Sequence, residues 1–288
     1  EFFHFGHMSG AATMFKNVYA LLPGTWMKAS RDGSTDGRYW DVGNDAVSSS
    51  CSENETKKEV LDLLTDSVRF QLISDVPVGT LLSGGVDSSL LSLIANGSMD
   101  EDTLRTYCMK MAEAEYDESK YAQEAAIVCG SMHHTVSVSK EDYINLLPYV
   151  AWLHDEPINF SNALYMLCVC QHARKDNTKV LLSGEGADEL FGGYLRYSKT
   201  LKRVIESQNG FSRKELSVLG SAVYGFDKVR RLIGTVEWEN PWRTQCYERF
   251  QNLPERDLLM RMDQRTRLVS LLYRQDRMSM GVGVETRV

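Results

Sequence analysis

The sequence predicts an α/β fold: a mostly parallel sheet covered by helices, with a helical C-terminal part. Three observations predict it. Short apolar strands alternate with helical stretches between Val78 and Leu182, the pattern of a parallel sheet with both faces covered. Two of those strands run directly into glycine-rich loops, Ser83-Gly84-Gly85 and Ser183-Gly184-Glu185-Gly186. Beyond Tyr194 the chain reads as helical with no clear strand. A chain of 288 residues that is 43% hydrophobic can bury a sizeable core.

Along the chain, Leu22-Pro23-Gly24-Thr25-Trp26-Met27 looks like a turn feeding a strand, and Arg31-Asp32-Gly33 and Asp36-Gly37 look like hairpin turns. The polar, serine-rich stretch at 44–56 reads as a linker, separating residues 1–43 from a main domain over 57–288. From Lys57, Val60, Leu63, Leu64, Val68 and Leu72 recur at helical spacing and stop before Pro77. Val78 to Leu82 is a buried strand, and a second helix starts inside the loop that follows. Strands are then expected at Leu104–Met109, Thr135–Val138 and Lys179–Leu182, and helices at Glu118–Val128, Tyr143–Trp152 and Ala163–Ala173.

Composition excludes several classes. The net charge of -7 argues against a nucleic-acid backbone as the main partner. No run reaches about eighteen apolar residues, so no membrane span is expected. The six cysteines are scattered and read as free, partly buried thiols in a reducing compartment, which points to the cytoplasm. Cys168-Val169-Cys170 lacks the spacing of a metal knuckle. Glu1-Phe2-Phe3-His4-Phe5 reads like the middle of a domain, so a piece of a longer chain is expected. A homodimer is compatible with the sequence and is not required by it.

The first glycine loop, Ser83-Gly84-Gly85-Val86-Asp87-Ser88-Ser89, sits between a buried strand and a helix. Ligands of parallel sheets bind beyond the carboxyl ends of strands. Glycines let the backbone approach phosphate oxygens, serines offer donors, and the new helix adds open N–H groups. Asp87 would repel phosphates unless a cation lies between, which argues for magnesium. The loop lacks the lysine of a Walker A motif. The second loop, Ser183 to Tyr194, holds Glu185, Asp188 and Glu189 among four glycines. Asp87 and Asp188 could hold magnesium on a triphosphate from two sides. The bland alternative is a glycine-rich turn with a solvated acidic face.

Together these motifs resemble the glutamine-hydrolysing asparagine synthetase family. Ser83 to Ser88 is similar to the SGGxDS signature of the ATP pyrophosphatase (adenine nucleotide alpha hydrolase-like) fold. Asp75-Val76-Pro77-Val78-Gly79, Ser183 to Tyr194, and Asp276-Arg277-Met278-Ser279-Met280 with Gly283 to Val288 narrow the likeness to that family's synthetase domain. Phe15-Lys16-Asn17-Val18, Leu22-Pro23-Gly24 and Arg38-Tyr39-Trp40 resemble the tail of its glutaminase domain.

The resemblance implies an ATP-dependent ligase. It adenylates the side-chain carboxylate of L-aspartate, releases pyrophosphate, and amidates the acyl carbon with ammonia derived from glutamine. Leu82, Ser83, Gly84, Gly85, Asp87, Ser88, Ser89, Met109 and Gly184 would bind ATP. Asp87 and Asp188 would bind Mg2+, and Glu185 would act in forming or using the intermediate. The family's glutaminase nucleophile is a terminal cysteine, a role given to none of the six here. Its oxyanion lysine lies downstream of the third signature, and Lys110, Lys175 and Lys179 are not assigned to it. Asp155-Glu156-Pro157 matches a branch that includes amidotransferases of other pathways, so a related ligase acting on another carboxylate is the alternative, with a non-catalytic nucleotide-binding fragment behind it. His133-His134 reads as local hydrogen bonding and packing in preference to metal ligation. Asp117 reads as a helix cap, Lys228, Arg230 and Arg231 as a solvated helix face, and Trp238 and Trp242 as packing between helices.

Overall fold

The structure, a computed structural model, describes residues 1–43, 51–99, 103–111, 115–158, 161–206, 212–219, 222–223, 226–234 and 240–288. In chain order it begins with α1 (Phe2–Phe5), β1 (Thr25–Ser30), β2 (Gly33–Arg38), α2 (Glu53–Leu72), β3 (Val78–Leu81), α3 (Val86–Gly97), β4 (Arg105–Lys110), α4 (Ser119–Cys129) and β5 (Met132–Ser137). Next come α5 (Lys140–His154), α6 (Asn162–Lys175), β6 (Val180–Leu182), α7 (Ala187–Phe191), α8 (Leu195–Glu206), α9 (Arg213–Leu219) and α10 (Phe226–Ile233). The last are α11 (Pro241–Phe250), α12 (Glu255–Arg265), α13 (Arg267–Met280) and β7 (Glu285–Arg287). They form two compact units, one of Glu1–Val47 with Gly186–Leu272, the other of Ser48–Glu185 with Tyr273–Val288.

The second unit is the expected parallel sheet. Its strand order is β5-β4-β3-β6-β7, and every neighbouring pair is parallel. Strand polarity and pleat decide what covers each face. Val180 and Leu182 pack with Val68 of α2 and Ala95 of α3, whereas Leu181 packs on the other face with Ala163, Leu164 and Leu167 of α6. The fully buried Leu164 and Leu167 contribute roughly 1.5–3 kcal/mol each by leaving water. The chain winds outward from β3 through β4 to β5, then returns to lay β6 on the other side of β3. The order therefore reverses between β3 and β6.

Several expectations change. The linker expected at 44–56 overlaps α2, because Ser52 and Glu55 form a reciprocal capping box that starts the helix at Glu53. Residues 44–50 lie outside the described residues. Asp36-Gly37 is not a turn but part of β2: Gly37 faces Trp26 in the hairpin register, where any β-carbon would lie 2.9 Å from the indole. Arg31-Asp32 does make the hairpin turn. The largest correction is β7, a strand in the stretch read as helical. Glu285-Thr286-Arg287 has no apolar run to announce it, and tertiary pairing with β6 makes it a strand. Arg287 anchors it, donating from Nη1 to the carbonyls of Gln71 (2.6 Å) and Ile73 (2.9 Å) at the end of α2.

The first unit combines the β1–β2 hairpin with the helices from α7 to α12. Cys246, Phe250, Leu258 and Met262 form its small core. Arg243 is 1% exposed, with its guanidinium 3.5 Å from the Phe5 ring centroid and Nε 3.3 Å from Glu1. Trp242 packs as expected, over Gly10 and with its indole N–H donating to the Arg265 carbonyl, while Trp238 lies outside the described residues. Lys228, Arg230 and Arg231 are exposed on α10. Five of the six cysteines are buried, and none of those five is in a disulfide. Burial pushes the thiols of Cys108 and Cys170 up to about 12 and those of Cys168 and Cys246 up to about 11. No helix among the described residues is long and apolar enough to cross a membrane.

Candidate active site

The loops after β3 and β6 leave the two strands that flank the reversal in strand order, where ligands of open parallel sheets bind. Leu82 follows β3 with its N–H donating to the Tyr107 carbonyl, and its side chain is buried among Cys108, Ala122 and Ala126. The side chain therefore serves the core. Gly84 turns the chain with φ +83°, and an added β-carbon would lie 2.4 Å from the backbone of Tyr121 on α4. Only glycine satisfies both the turn and that approach.

The loop holds itself through its hydroxyls. Ser83 Oγ and Ser88 Oγ are 3.0 Å apart, the Ser83 N–H donates to Ser88 Oγ, and the Gly85 N–H donates to Ser83 Oγ. Gly85 caps α3 without a side chain, which keeps the first-turn N–H groups of α3 clear of a protein cap. Asp87 stands exposed in that first turn. The hydroxyl oxygen of Ser89 is buried with no hydrogen-bond partner among the described residues. Met109 lies near the end of β4, half-buried against the core.

The second loop starts against the first. At Gly184 a β-carbon would lie 3.4 Å from both the Asp87 β-carbon and the Ser88 nitrogen. Ser183 is buried; its hydroxyl donates to Gln275 Oε1 at 3.1 Å and accepts from the Glu185 N–H. Glu185 meets a residue that the sequence did not single out. Arg274 is 5% exposed and reaches Glu185 Oε2 with Nη2 at 2.8 Å and Asn162 Oδ1 with Nη1 at 3.0 Å. One planar guanidinium thus holds the loop carboxylate to α6. Arg274 lies two residues before the third signature, and nothing in its spacing marks it.

The rest of the second loop belongs to the other unit. There Glu189 is fully buried and accepts from the Tyr194 hydroxyl at 2.8 Å, so the acidic stretch is not simply a solvated face. Asp188 accepts through its carbonyl from the N–H groups of Gly192 and Gly193. Gly193 lies close beside it: a β-carbon there would be 2.0 Å from Asp188 Oδ1, so that carboxylate would have to shift.

The third signature is structural in this fold. Arg277 donates to the His154 carbonyl, Ser279 meets Thr286 at 3.0 Å, and the Val284 N–H returns to the Ser279 carbonyl. These contacts turn the chain from α13 into β7. Asp155 closes α5 in the left-handed region, φ +56°, as a turn residue after His154. Asp117 accepts from the Ser119 N–H, the Ser119 hydroxyl and the Met111 N–H, so it ties the end of β4 to the start of α4, although Glu118 holds the capping position itself. His133 makes the expected local bond, 2.9 Å to Thr106.

Two phosphate-suited loops meeting at the strand reversal agree with what comparison shows. Residues 59–288 match the family described as asparagine synthase. The chain belongs to that family. It is 34% identical over 202 residues to asparagine synthetase [glutamine-hydrolyzing] 1 of Bacillus subtilis, covering 70% of this chain and 31% of that protein. It is 28% identical over 294 residues to asparagine synthetase [glutamine-hydrolyzing] 3 of the same organism, covering 96% of this chain and 47% of that protein. It is also 30% identical over 200 residues to amidase chry2 of Gibberella zeae, covering 64% of this chain and 30% of that one. This family member thus spans less than half the length of these curated relatives.

Proposed function

We propose that this chain carries the ATP-dependent synthetase chemistry of a glutamine-hydrolysing asparagine synthetase. One observation carries the reading: the two glycine loops leave β3 and β6 at the reversal in strand order, with Gly184 in van der Waals reach of Asp87. Ser83, Gly84, Gly85, Ser88 and Ser89 cradle the pyrophosphate part of ATP, with Leu82, Met109 and Gly184 lining the nucleotide. Residues 1–43 are then the tail of a glutaminase domain, and 57–288 the synthetase domain.

The residues suit a magnesium ion. Asp87 is an exposed carboxylate at the mouth of a phosphate cradle, and carboxylate oxygens are the donors that a hard divalent cation takes. Asp87 and Asp188 would hold it, and the ion would neutralise phosphate charge. The chain's own groups do the rest. A carboxylate is already a nucleophile, so adenylation asks mainly for positioning and for N–H donors toward the phosphates. In this reading Glu185, held by Arg274, acts where the acyl group is made and amidated.

The acceptor is L-aspartate in this reading, and the nitrogen comes from glutamine or ammonia. Full-length protein given ATP and magnesium should release pyrophosphate faster when aspartate is added. Indifference to aspartate, with stimulation by another carboxylic acid, would replace it with the related-ligase reading. The Asp155-Glu156-Pro157 turn and the likeness to a protein named as an amidase favour that second reading. ATP binding without any pyrophosphate release would reject both.

A further inference from the structure

The parallel-sheet unit carries a second group of chemistry-bearing side chains, at the opposite end of β6 from Ser183. His134 lies on β5, His172 in the last turn of α6, and Asp176 just beyond that helix. One potential ligand atom from each lies within 4.8 Å of the others. His134 Nδ1 is 3.2 Å from Asp176 Oδ2, and His172 Nε2 is 3.4 Å from the same oxygen.

These contacts are poorly explained as hydrogen bonds. Asp176 Oδ2 is buried and makes no hydrogen bond of normal geometry to either ring, while the Tyr107 hydroxyl is a further polar neighbour of the Asp176 carboxylate. Leaving that oxygen without a well-directed donor costs about 1–3 kcal/mol. The separations instead fit a shared ion. Ligand atoms about 2.0–2.1 Å from a tetrahedral zinc lie about 3.4 Å from one another, close to both measured distances.

The surroundings hold the group in place. Tyr107 stacks on His134 with ring centroids 5.0 Å apart and 20° between the planes, and it meets His172 edge-on. The Tyr107 hydroxyl is in turn 2.8 Å from Thr178 Oγ1. His172 and Asp176 are four residues apart, so the helix end presents them side by side. The three side chains are 24%, 40% and 29% exposed, which leaves a way in for an ion and one coordination position open to water.

We infer that His134, His172 and Asp176 form a binding site for a divalent transition ion of the zinc class, separate from the nucleotide loops. Two imidazole nitrogens and one carboxylate oxygen select such an ion over magnesium, which prefers oxygen donors alone. Its role is to pin the end of α6 to the edge strand β5.

Zinc chloride titrated into the purified chain in the presence of excess magnesium, without ATP, tests the site. One equivalent should bind, and cobalt in its place should give the intense visible absorption of a four-coordinate ion. Zinc should also raise the melting temperature. His172→Ala, at the most exposed of the three positions, and Asp176→Asn, which keeps the shape, should each weaken binding roughly 100-fold and abolish the thermal shift. Both variants should melt as the metal-free parent does and keep its ATP-dependent pyrophosphate release. Absence of zinc binding by the parent, or parental affinity in both variants, would overturn the inference.

Discussion

The two loops that meet at the strand reversal are held in opposite ways. The loop after β3 is self-sufficient: Ser83 and Ser88 bond each other and the turn's own N–H groups, and glycine supplies the curvature. The loop after β6 is held from elsewhere. Ser183 depends on Gln275, and Glu185 on Arg274, which also reaches back to Asn162. A phosphate cradle is assembled from short-range bonds, whereas a carboxylate aimed at a reacting group needs a scaffold that does not move with its own loop.

Substitutions can break this contrast. The largest effect is expected at Asp87. Asp87→Ala should cut magnesium-dependent pyrophosphate release by the full-length protein by roughly 1,000-fold or more. Because the side chain is exposed, the melting curve should hardly change. Turnover close to the parent's would refute the placement of the cation.

Arg274→Met comes next. Removing one partner of a largely buried ion pair typically costs about 3–5 kcal/mol, and here it also releases Glu185. Chemical denaturation should show that loss together with a fall in kcat. Arg274→Lys should recover little, since one ammonium cannot span Glu185 and Asn162 as the planar fork does. A fully active Lys variant would mean that charge alone matters at this position.

Gly84→Ala sharpens the other half of the comparison. The new methyl would press on the α4 backbone at a positive φ, so the cradle must shift. ATP affinity should fall roughly 100-fold, about 2.7 kcal/mol, while Glu185 stays in its clamp. ATP titration measures it; unchanged affinity would show that the phosphates bypass this turn.

The smallest effect is a pH dependence. Burial first, then Arg277 and Arg274, holds the His154 imidazole below its ordinary value. The unfolded chain therefore takes up a proton that the folded chain refuses. Stability is whole above the ordinary imidazole range and is lost as pH falls below about 6.5, by up to ~1.4 kcal/mol per pH unit for each such group. His7, pushed down to about 3 by burial and by Arg243, acts in the same sense, as does His133. Melting temperatures measured between neutral and mildly acidic pH should fall, and His154→Asn should remove part of the slope. An unchanged slope in that variant would exclude His154 as a contributor.

Much of this molecule was legible in its sequence. Short apolar runs marked β3, β4 and β6, helical periodicity marked α2, and Gly84 and Gly184 marked the loops. Those signals are local: periodicity and turn chemistry act over a few residues. The first edge of α2 was missed because its capping box lies inside a polar stretch that resembles a linker. Glu189 reads as a solvated acid, yet Tyr194 and full burial make it part of the interior.

What only the tertiary structure decided is who meets whom over long separations. Arg274 finds Glu185 across 89 residues, Arg287 ties its strand to the end of α2, and His134 comes to lie beside His172 and Asp176. His133-His134 alone suggested packing and local bonds, and that holds for His133, bonded to Thr106, and for the stacking of His134 on Tyr107. For His134 the partners come from a helix end brought beside β5 by the crossover. A sequence records each side chain and its neighbours along the chain; pairing of distant groups is set by strand order and helix packing, where hydrophobic burial chooses the arrangement and the polar side chains must accept the company it imposes.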